Sequence, residues 1–342
     1  MVLSLVSCGG PPSGQSAASP THRHAASATG TPINVDDMMG LYAQQTVFVT
    51  TTDHVSAVTL LNHFTRYQIP TNSVAQVSSE STSQWLYLLD AGTLASYRLR
   101  RFDVSSGSEG AVRAGITGVA ADRRALSTAI DGRALVLKSD PRHAWVDAYE
   151  ALALRPLGAV MEKPGCGDRL LASGTRVAII CLATGEIAID DLRGNRAAID
   201  GALPKLVAAA MADDGTLYVA TADQHLATVA IGATKLVSVP WPSEWSGTVL
   251  ADGLAVAQGG ASVVIAERTG DGAWLRVFAM NNPAQRKSVR LAGVPQGGVV
   301  AMWPFAYYTV DRTIRHVDLN SGLLETMTQV GVGAMPGAVA NR

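Results

Sequence analysis

Residues 299–330 read VVAMW-PFAYYTVD-RTIRHVDLNSG-LLETMTQV, and the reading of this stretch decides the fold. Phe305, Tyr307 and Thr309 alternate with Ala306, Tyr308 and Val310, an aromatic and β-branched mixture that suits a pleated sheet. Asp311-Arg312 breaks the run. Ile314, His316 and Asp318 then alternate with Arg315, Val317 and Leu319, and Asn320-Ser321-Gly322 supplies a turn before the outermost segment. The spacing predicts four β segments of about five to eight residues, each too short for a helix stable on its own. One such sheet leaves apolar side chains uncovered on both faces, so it needs similar neighbours.

Working back along the chain, an acidic residue marks the end of the second segment, or the turn after it, in every unit. The set is Asp53, Asp90, Asp140, Glu186, Asp223, Asp271 and Asp311, with separations of 37, 50, 46, 37, 48 and 40 residues. The second segments read TVFVTT, WLYLL, RALVLKS, RVAIICL, TLYVATA, SVVIAER and FAYYTV. Asp131-Gly132, Ser173-Gly174 and Asp214-Gly215 are hairpin signals between first and second segments. Asp103, Asp191 and Asp318 open the turns after the third, and carboxylates in such places accept hydrogen bonds from turn N–H groups. A mean period near 43 residues is the length of one four-stranded blade.

Seven such units fill residues 38–330, and the chain resembles a seven-bladed β-propeller of the YVTN, quinoprotein-like and WD40-like group. The expected class is all-β, with four antiparallel strands per blade. The Gly-His and Trp-Asp signatures of true WD40 repeats are missing, which sets that subfamily aside. Strand limits around residues 118–157 are ambiguous, so six or eight blades stay open. The ring closes either with every blade built from contiguous strands or with residues 32–35 adding a strand to the last blade.

At the start, Leu5-Val6-Ser7-Cys8 resembles a bacterial lipobox, in which a small residue precedes the cysteine that receives lipid. Residues 1–7 carry no Lys or Arg and are short for a signal segment, so residues 1–8 are read as a short or truncated lipoprotein signal. Residues 9–31 are rich in Gly, Pro, Ser, Ala and Thr and hold too few large apolar groups to offset the entropy of ordering, so they are expected to form a flexible tether. Residues 32–342 form the propeller. The implied address is the bacterial cell envelope, on the outer side of the cytoplasmic membrane or in the periplasm, with Cys8 as the anchor.

Composition bounds the rest. Hydrophobic content of 47% with 16% charge indicates a large core, and no run of apolar residues is long enough for a spanning helix. Net charge is −1 and the densest basic groups are Arg98/Arg100/Arg101 and Arg123-Arg124, so nothing points to nucleic acid. Arg98 and Arg100 share one strand face, read as solvated. A monomer is expected.

Few residues offer chemistry. Cys166 and Cys181 lie symmetrically about Ser173-Gly174, so a hairpin with that turn faces them across the sheet, and export makes a disulfide between them the expectation. His54, His143 and His225 sit in or after second-to-third-strand turns, which would place them on one rim, but in blades too far apart to converge on a metal. His22 and His24 lie in the tether. Trp241 and Trp245, in VPWPSEW, occupy a blade-to-blade connection stiffened by Pro240 and Pro242; they read either as blade packing or, with His143 and His225, as a binding rim. Trp85, Trp145, Trp274 and Trp303 read as core. There is no phosphate loop, no G-x-S-x-G, no metal-spaced Cys/His set and no implied cofactor.

The expected function is therefore a noncatalytic, lipid-anchored propeller that binds an envelope protein or a glycan. The competing class is an enzyme of quinoprotein-like dehydrogenase or lactonase type. Such enzymes need charged groups from several blades at the central channel, whereas the first segments here, LVAAAMA, GLAVAQG and GVVAMW, offer mostly Ala, Val and Gly.

Overall fold

Gln45–Thr50, Arg176–Cys181, Leu217–Thr221 and Phe305–Val310 are buried at every position. A strand covered on both faces belongs to a sheet packed between two others. The computed structural model describes residues 45–79, 84–93, 95–120, 124–192, 196–199, 201–257, 262–280 and 282–341. Across these residues the chain forms seven sheets of four antiparallel strands. Seven apolar clusters fill the seams between them. One example is Val47, Val49, Met302, Phe305 and Tyr307 between the last and first blades; another is Val256, Val263 and Phe278 with Tyr218 and Ala220. Residues 1–44, with Cys8, His22, His24 and residues 32–35, lie outside the described residues.

The innermost strands are β4 (Gln76–Ser78), β8 (Leu126–Thr128), β12 (Arg169–Ser173), β16 (Leu206–Met211), β20 (Thr248–Ala257), β24 (Val299–Met302) and β28 (Met335–Asn341). Small side chains dominate there because these strands crowd one axis. Antiparallel order puts the second-to-third-strand turns and the blade-to-blade connections on one face of the ring. The first-to-second and third-to-fourth turns lie on the other. These are called the connection face and the hairpin face below.

The ring closes in a way neither sequence alternative contains. β28, the last strand of the chain, pairs with β1 (Gln45–Thr50) through Thr46↔Ala340, Val47↔Val339 and Phe48↔Ala338, completing a blade whose other strands are β2 (His54–Thr59) and β3 (Thr65–Pro70). The first blade thus borrows its innermost strand from the C-terminal end. Gly337 interrupts the register, and a Cβ there would stand 1.9 Å from Val77 Cγ2, so only glycine lets this strand lie against the next blade.

The acidic markers sit where the period puts them, and their chemistry is local. The Thr51 hydroxyl donates to Asp53 at 3.0 Å and the Thr221 hydroxyl to Asp223 at 2.6 Å; Thr269 does the same to Asp271. The Thr51 and Thr221 oxygens also accept the backbone N–H of His54 and His225. A Thr-x-Asp clasp therefore closes three of the turns; hydrogen bonds from the His54 side chain and then Thr51 hold the Asp53 carboxyl below the usual range, and the threonine hydroxyls first of all do so for Asp223, at about 2, and Asp271. Asp90 differs. It is fully buried and takes Arg98 at 2.5 Å and Arg100 at 3.6 Å, so these two arginines neutralise a core carboxylate rather than covering a solvated face.

Cys166 and Cys181 are bonded, with Cα atoms 5.5 Å apart. The hairpin register is not the symmetric one. Ser173 pairs with Arg176, so Gly174-Thr175 forms the turn, with φ 58° at Gly174. Cys181 lies at the end of its strand, and Cys166 reaches it from the connection before β12. Lys163, 5% exposed, holds that connection by donating to the carbonyls of Pro164 and Cys166 and to the Glu186 carboxylate. A closed loop of this size is worth about 3 kcal/mol. Replacing both cysteines with serine is expected to lower unfolding stability by that amount. Non-reducing peptide mapping should recover the bridged pair, and two alkylatable thiols would contradict it.

Candidate binding face and channel mouth

The inner strands enclose a channel of about 750 Å³. Among its described lining residues only Arg124, Asp213 and Asp252 are charged; Ala210, Ala255, Val299, Ala301 and Ala338 are typical of the rest. Arg124 and Asp252 gather at one end, where β20 is interrupted, whereas Asp213 lies in the turn after β16 on the hairpin face. The β20 register jumps from Val249↔Glu267 to Leu254↔Ile265, so Leu250, Ala251, Asp252 and Gly253 leave the ladder as a bulge. Asp252 has φ 54°, and a Cβ on Gly253 would meet the carbonyl oxygens of Leu250 and Ala266 at 2.8 and 2.9 Å. A Cβ on Gly298 would strike the Asp252 carbonyl oxygen at 2.3 Å. Two glycines therefore make room for the bulge.

The bulge presents the Asp252 carboxylate, 7% exposed, to two arginines. Arg169 Nε donates to it at 3.1 Å, and Arg124 Nε lies 3.4 Å away. Arg169 is itself 8% exposed, whereas the Arg124 side chain keeps 24% of its surface. Arginine stays charged in proteins, so two guanidiniums against one carboxylate leave the mouth net positive. Arg169 opens β12 and Arg124 just precedes β8, which places the cluster on the connection face. The sequence reading saw Arg123-Arg124 only as a small basic pair and missed Asp252 and Arg169, because residues 248–257 look like one unbroken strand.

The rim residues separate on inspection. Trp245 is 3% exposed and lies inside the seam between the fifth and sixth blades, 6.4 Å from the Phe278 ring and with Arg276 5.6 Å above its own. It is a packing residue. Trp241 is half-buried on the connection face, edge-on to Trp245 at 5.8 Å, and its Nε1 donates to the Trp245 carbonyl at 3.3 Å. Trp85, Trp145, Trp274 and Trp303, read from sequence as core, are each only half-buried. Arg101 covers Trp85 at 4.2 Å and Arg276 covers Trp274 at 5.0 Å, so cations stand where core side chains were expected.

His143 stacks on Trp145 at 5.8 Å and stands 3.7 Å from Glu162, and His225 is exposed at its turn. His54 is tied to the seam by Asp53 at 2.7 Å and the Val330 carbonyl at 3.2 Å. The three histidines share a face but stand in the first, third and fifth blades and do not converge.

The opposite face carries most of the exposed large apolar residues. Phe64, Ile130, Leu152, Leu157, Ile231 and Leu323 all lie in or beside hairpin-face turns, from 47% to 66% exposed. None of them stands out in the sequence, because turn residues such as Leu323, beside Leu324, read like the strand ends they adjoin.

These features define the class as a seven-bladed β-propeller with one charged mouth and one apolar face. No family model matches the chain, and no curated protein matches it. Solved structures do. Hydrazine synthase of Kuenenia stuttgartiensis matches with a TM-score of 0.58 at 12% identity, over 84% of this chain and 93% of that one. The WD40 repeats of RRP9 match with a TM-score of 0.56 at 11% identity, over 78% of this chain and 83% of that one. AztD of Citrobacter koseri matches with a TM-score of 0.50 at 12% identity, over 87% and 97%. Likeness at such identities is a likeness of fold, and it places the chain beside WD40-like propellers although it lacks their sequence signatures.

Proposed function

We propose that the chain is a noncatalytic binding propeller, anchored to the bacterial cell envelope through Cys8, and that its connection face grips a protein partner. The observation that carries this is the pairing on one face of a net-positive channel mouth with Trp241, whose ring is held in place by Trp245 beneath it. An aromatic side chain already fixed in place loses little entropy on binding, and the positive mouth suits an acidic side chain or a terminal carboxylate of the partner.

The chain's path supports the orientation. β1 is the second strand of its blade, so Gln45 enters the ring on the hairpin face. A tether from Cys8 therefore joins the same face as Phe64, Leu152 and Ile231, which suits a surface lying against lipid, and the connection face points outward.

The test places a photo-crosslinking residue at Ser243, which is exposed beside Trp241, in the full chain expressed in its own envelope. One dominant protein adduct is expected, reduced at least about tenfold by Trp241→Ala and by Arg124→Ala, since hot-spot truncations cost upwards of 1.4 kcal/mol. Melting temperature should not change for either variant. Equal adducts in all three chains would reject the face, and loss of adducts only on adding envelope oligosaccharide would assign it to a glycan. Metabolic labelling with a fatty-acid analogue should tag the wild type and not Cys8→Ala.

A further inference from the structure

His63, His316 and Glu325 meet at the seam between the last and first blades, and they meet without bonding. His63 comes from the turn between β2 and β3 on the hairpin face; His316 lies in β26 (Thr313–Asp318) and Glu325 in β27 (Leu324–Gln329) of the last blade. The Nε2 atoms of His316 and His63 stand 3.6 and 3.9 Å from the same Glu325 oxygen, Oε2, and one ligand atom from each residue lies within 4.8 Å of the others. The two imidazoles approach edge-on, with centroids 5.5 Å apart. These N–O separations are too long for hydrogen bonds. They are close to the edge of a coordination tetrahedron, about 3.3 Å for metal–ligand bonds of about 2.0–2.1 Å.

Two further facts require explanation. His316 is 2% exposed, locked against Phe305 at 5.3 Å, and its other ring nitrogen, Nδ1, has no hydrogen-bond partner. A buried imidazole nitrogen left without a partner is costly, on the order of 1–3 kcal/mol. His63, meanwhile, is held in left-handed backbone, φ 53°, which turns its ring toward the seam. The three side chains therefore converge on one gap, with His316 Nε2 and His63 Nε2 turned toward Glu325 Oε2 and no hydrogen bond closing it.

We propose that His63, His316 and Glu325 bind a zinc-class divalent cation that ties the first blade to the last. Two borderline imidazoles with one carboxylate make a donor set that suits zinc or cobalt, and the two nitrogens disfavour calcium and magnesium, which take oxygen ligands. The side chains of His63 and Glu325 keep 32% and 43% of their surface, so the fourth ligand is water. The ion bridges the seam between the last and first blades at its outer strands, away from the innermost strand β28 that closes the ring.

The test uses the full chain without an affinity tag, stripped with chelator and titrated with Co²⁺ and Zn²⁺. Expected are one equivalent of Co²⁺ with the visible absorption of a four-coordinate site, and a rise in melting temperature of roughly 5 °C at about a hundredfold excess of Zn²⁺ over its Kd. Ca²⁺ should give neither. His63→Gly, which suits the left-handed backbone and so keeps the fold, and Glu325→Gln should each lose the absorption and the shift. The double variant His22→Ala/His24→Ala should keep both. Absence of a metal-dependent shift in the wild type, full binding by His63→Gly, or loss of binding in the tether variant alone would overturn the proposal.

Discussion

A chain ending at Ala334 is expected to lose its cooperative melting transition, because the strand it lacks is the closure of the ring. β28 supplies the innermost place of the first blade and brings Pro336, Ala338, Val339 and Ala340 into the core. At about 25 cal/mol per Å² these side chains contribute roughly 4–5 kcal/mol, before counting the apolar surface of β1 and β4 that their loss would expose. A domain's whole stability is about 5–15 kcal/mol, so the loss is comparable with the total. The strand is also clamped at its start, where the Thr309 hydroxyl donates to the Ala334 carbonyl at 2.7 Å and Thr50 to that of Met335 at 3.4 Å. Circular dichroism melts of the truncated and full chains decide the point, and a synthetic peptide of residues 335–342 should restore part of the transition. Melting within about 3 °C of the full chain would show that the remaining blades close without it. Gly337→Val tests the same strand in the intact chain, since a side chain there meets Val77 and overpacking of this kind costs about 1–3 kcal/mol.

Why this strand escaped the sequence reading is physical. Residues 335–340 read MPGAVA: one proline, one glycine and small side chains, with no alternation and no turn before it resembling those elsewhere. Its strand character comes from its neighbours β1 and β4 and not from local propensity. Where pattern and packing agree, the sequence was legible. In residues 299–330 the two interruptions, at Asp311-Arg312 and Asn320-Ser321-Gly322, fall at the observed turns, and the acidic markers return at each second-to-third-strand junction. Asp311 and Arg312 both have positive φ, the conformation a two-residue hairpin turn requires, which explains why a charged pair can end a strand that is otherwise apolar.

The site was less legible for the opposite reason. Trp241 and Trp245 are equally aromatic and four residues apart, yet one caps the seam and the other fills it. Only the path of the connection distinguishes them. His63, His316 and Glu325 are spread over residues 63–325 and share no motif, so nothing short of ring closure brings them together.

The charged mouth leads to the last expectation. Asp252→Ala is expected to cost about 4 kcal/mol, because Arg169 would remain buried with no counter-charge, and breaking a buried pair from one side costs about 3–5 kcal/mol. Asp252→Asn separates charge from backbone. Asparagine tolerates the left-handed conformation at φ 54° and keeps the shape, so its cost, about 3 kcal/mol, measures the lost charge alone. Pairing either change with Arg169→Met should recover most of the loss, since a neutral apolar partner needs no carboxylate. Denaturant unfolding of the wild type, Asp252→Asn, Arg169→Met and the double variant gives the coupling directly. A loss below about 1 kcal/mol for Asp252→Asn would mean that water already screens the cluster. The arrangement also bears on function, since without Asp252 the mouth carries two unopposed guanidiniums. An anionic partner that docks there should bind Asp252→Asn more tightly than wild type while the protein itself becomes less stable. A stabilising contact would not split in this way: stability and affinity move in opposite directions only if the carboxylate competes with the partner for Arg124.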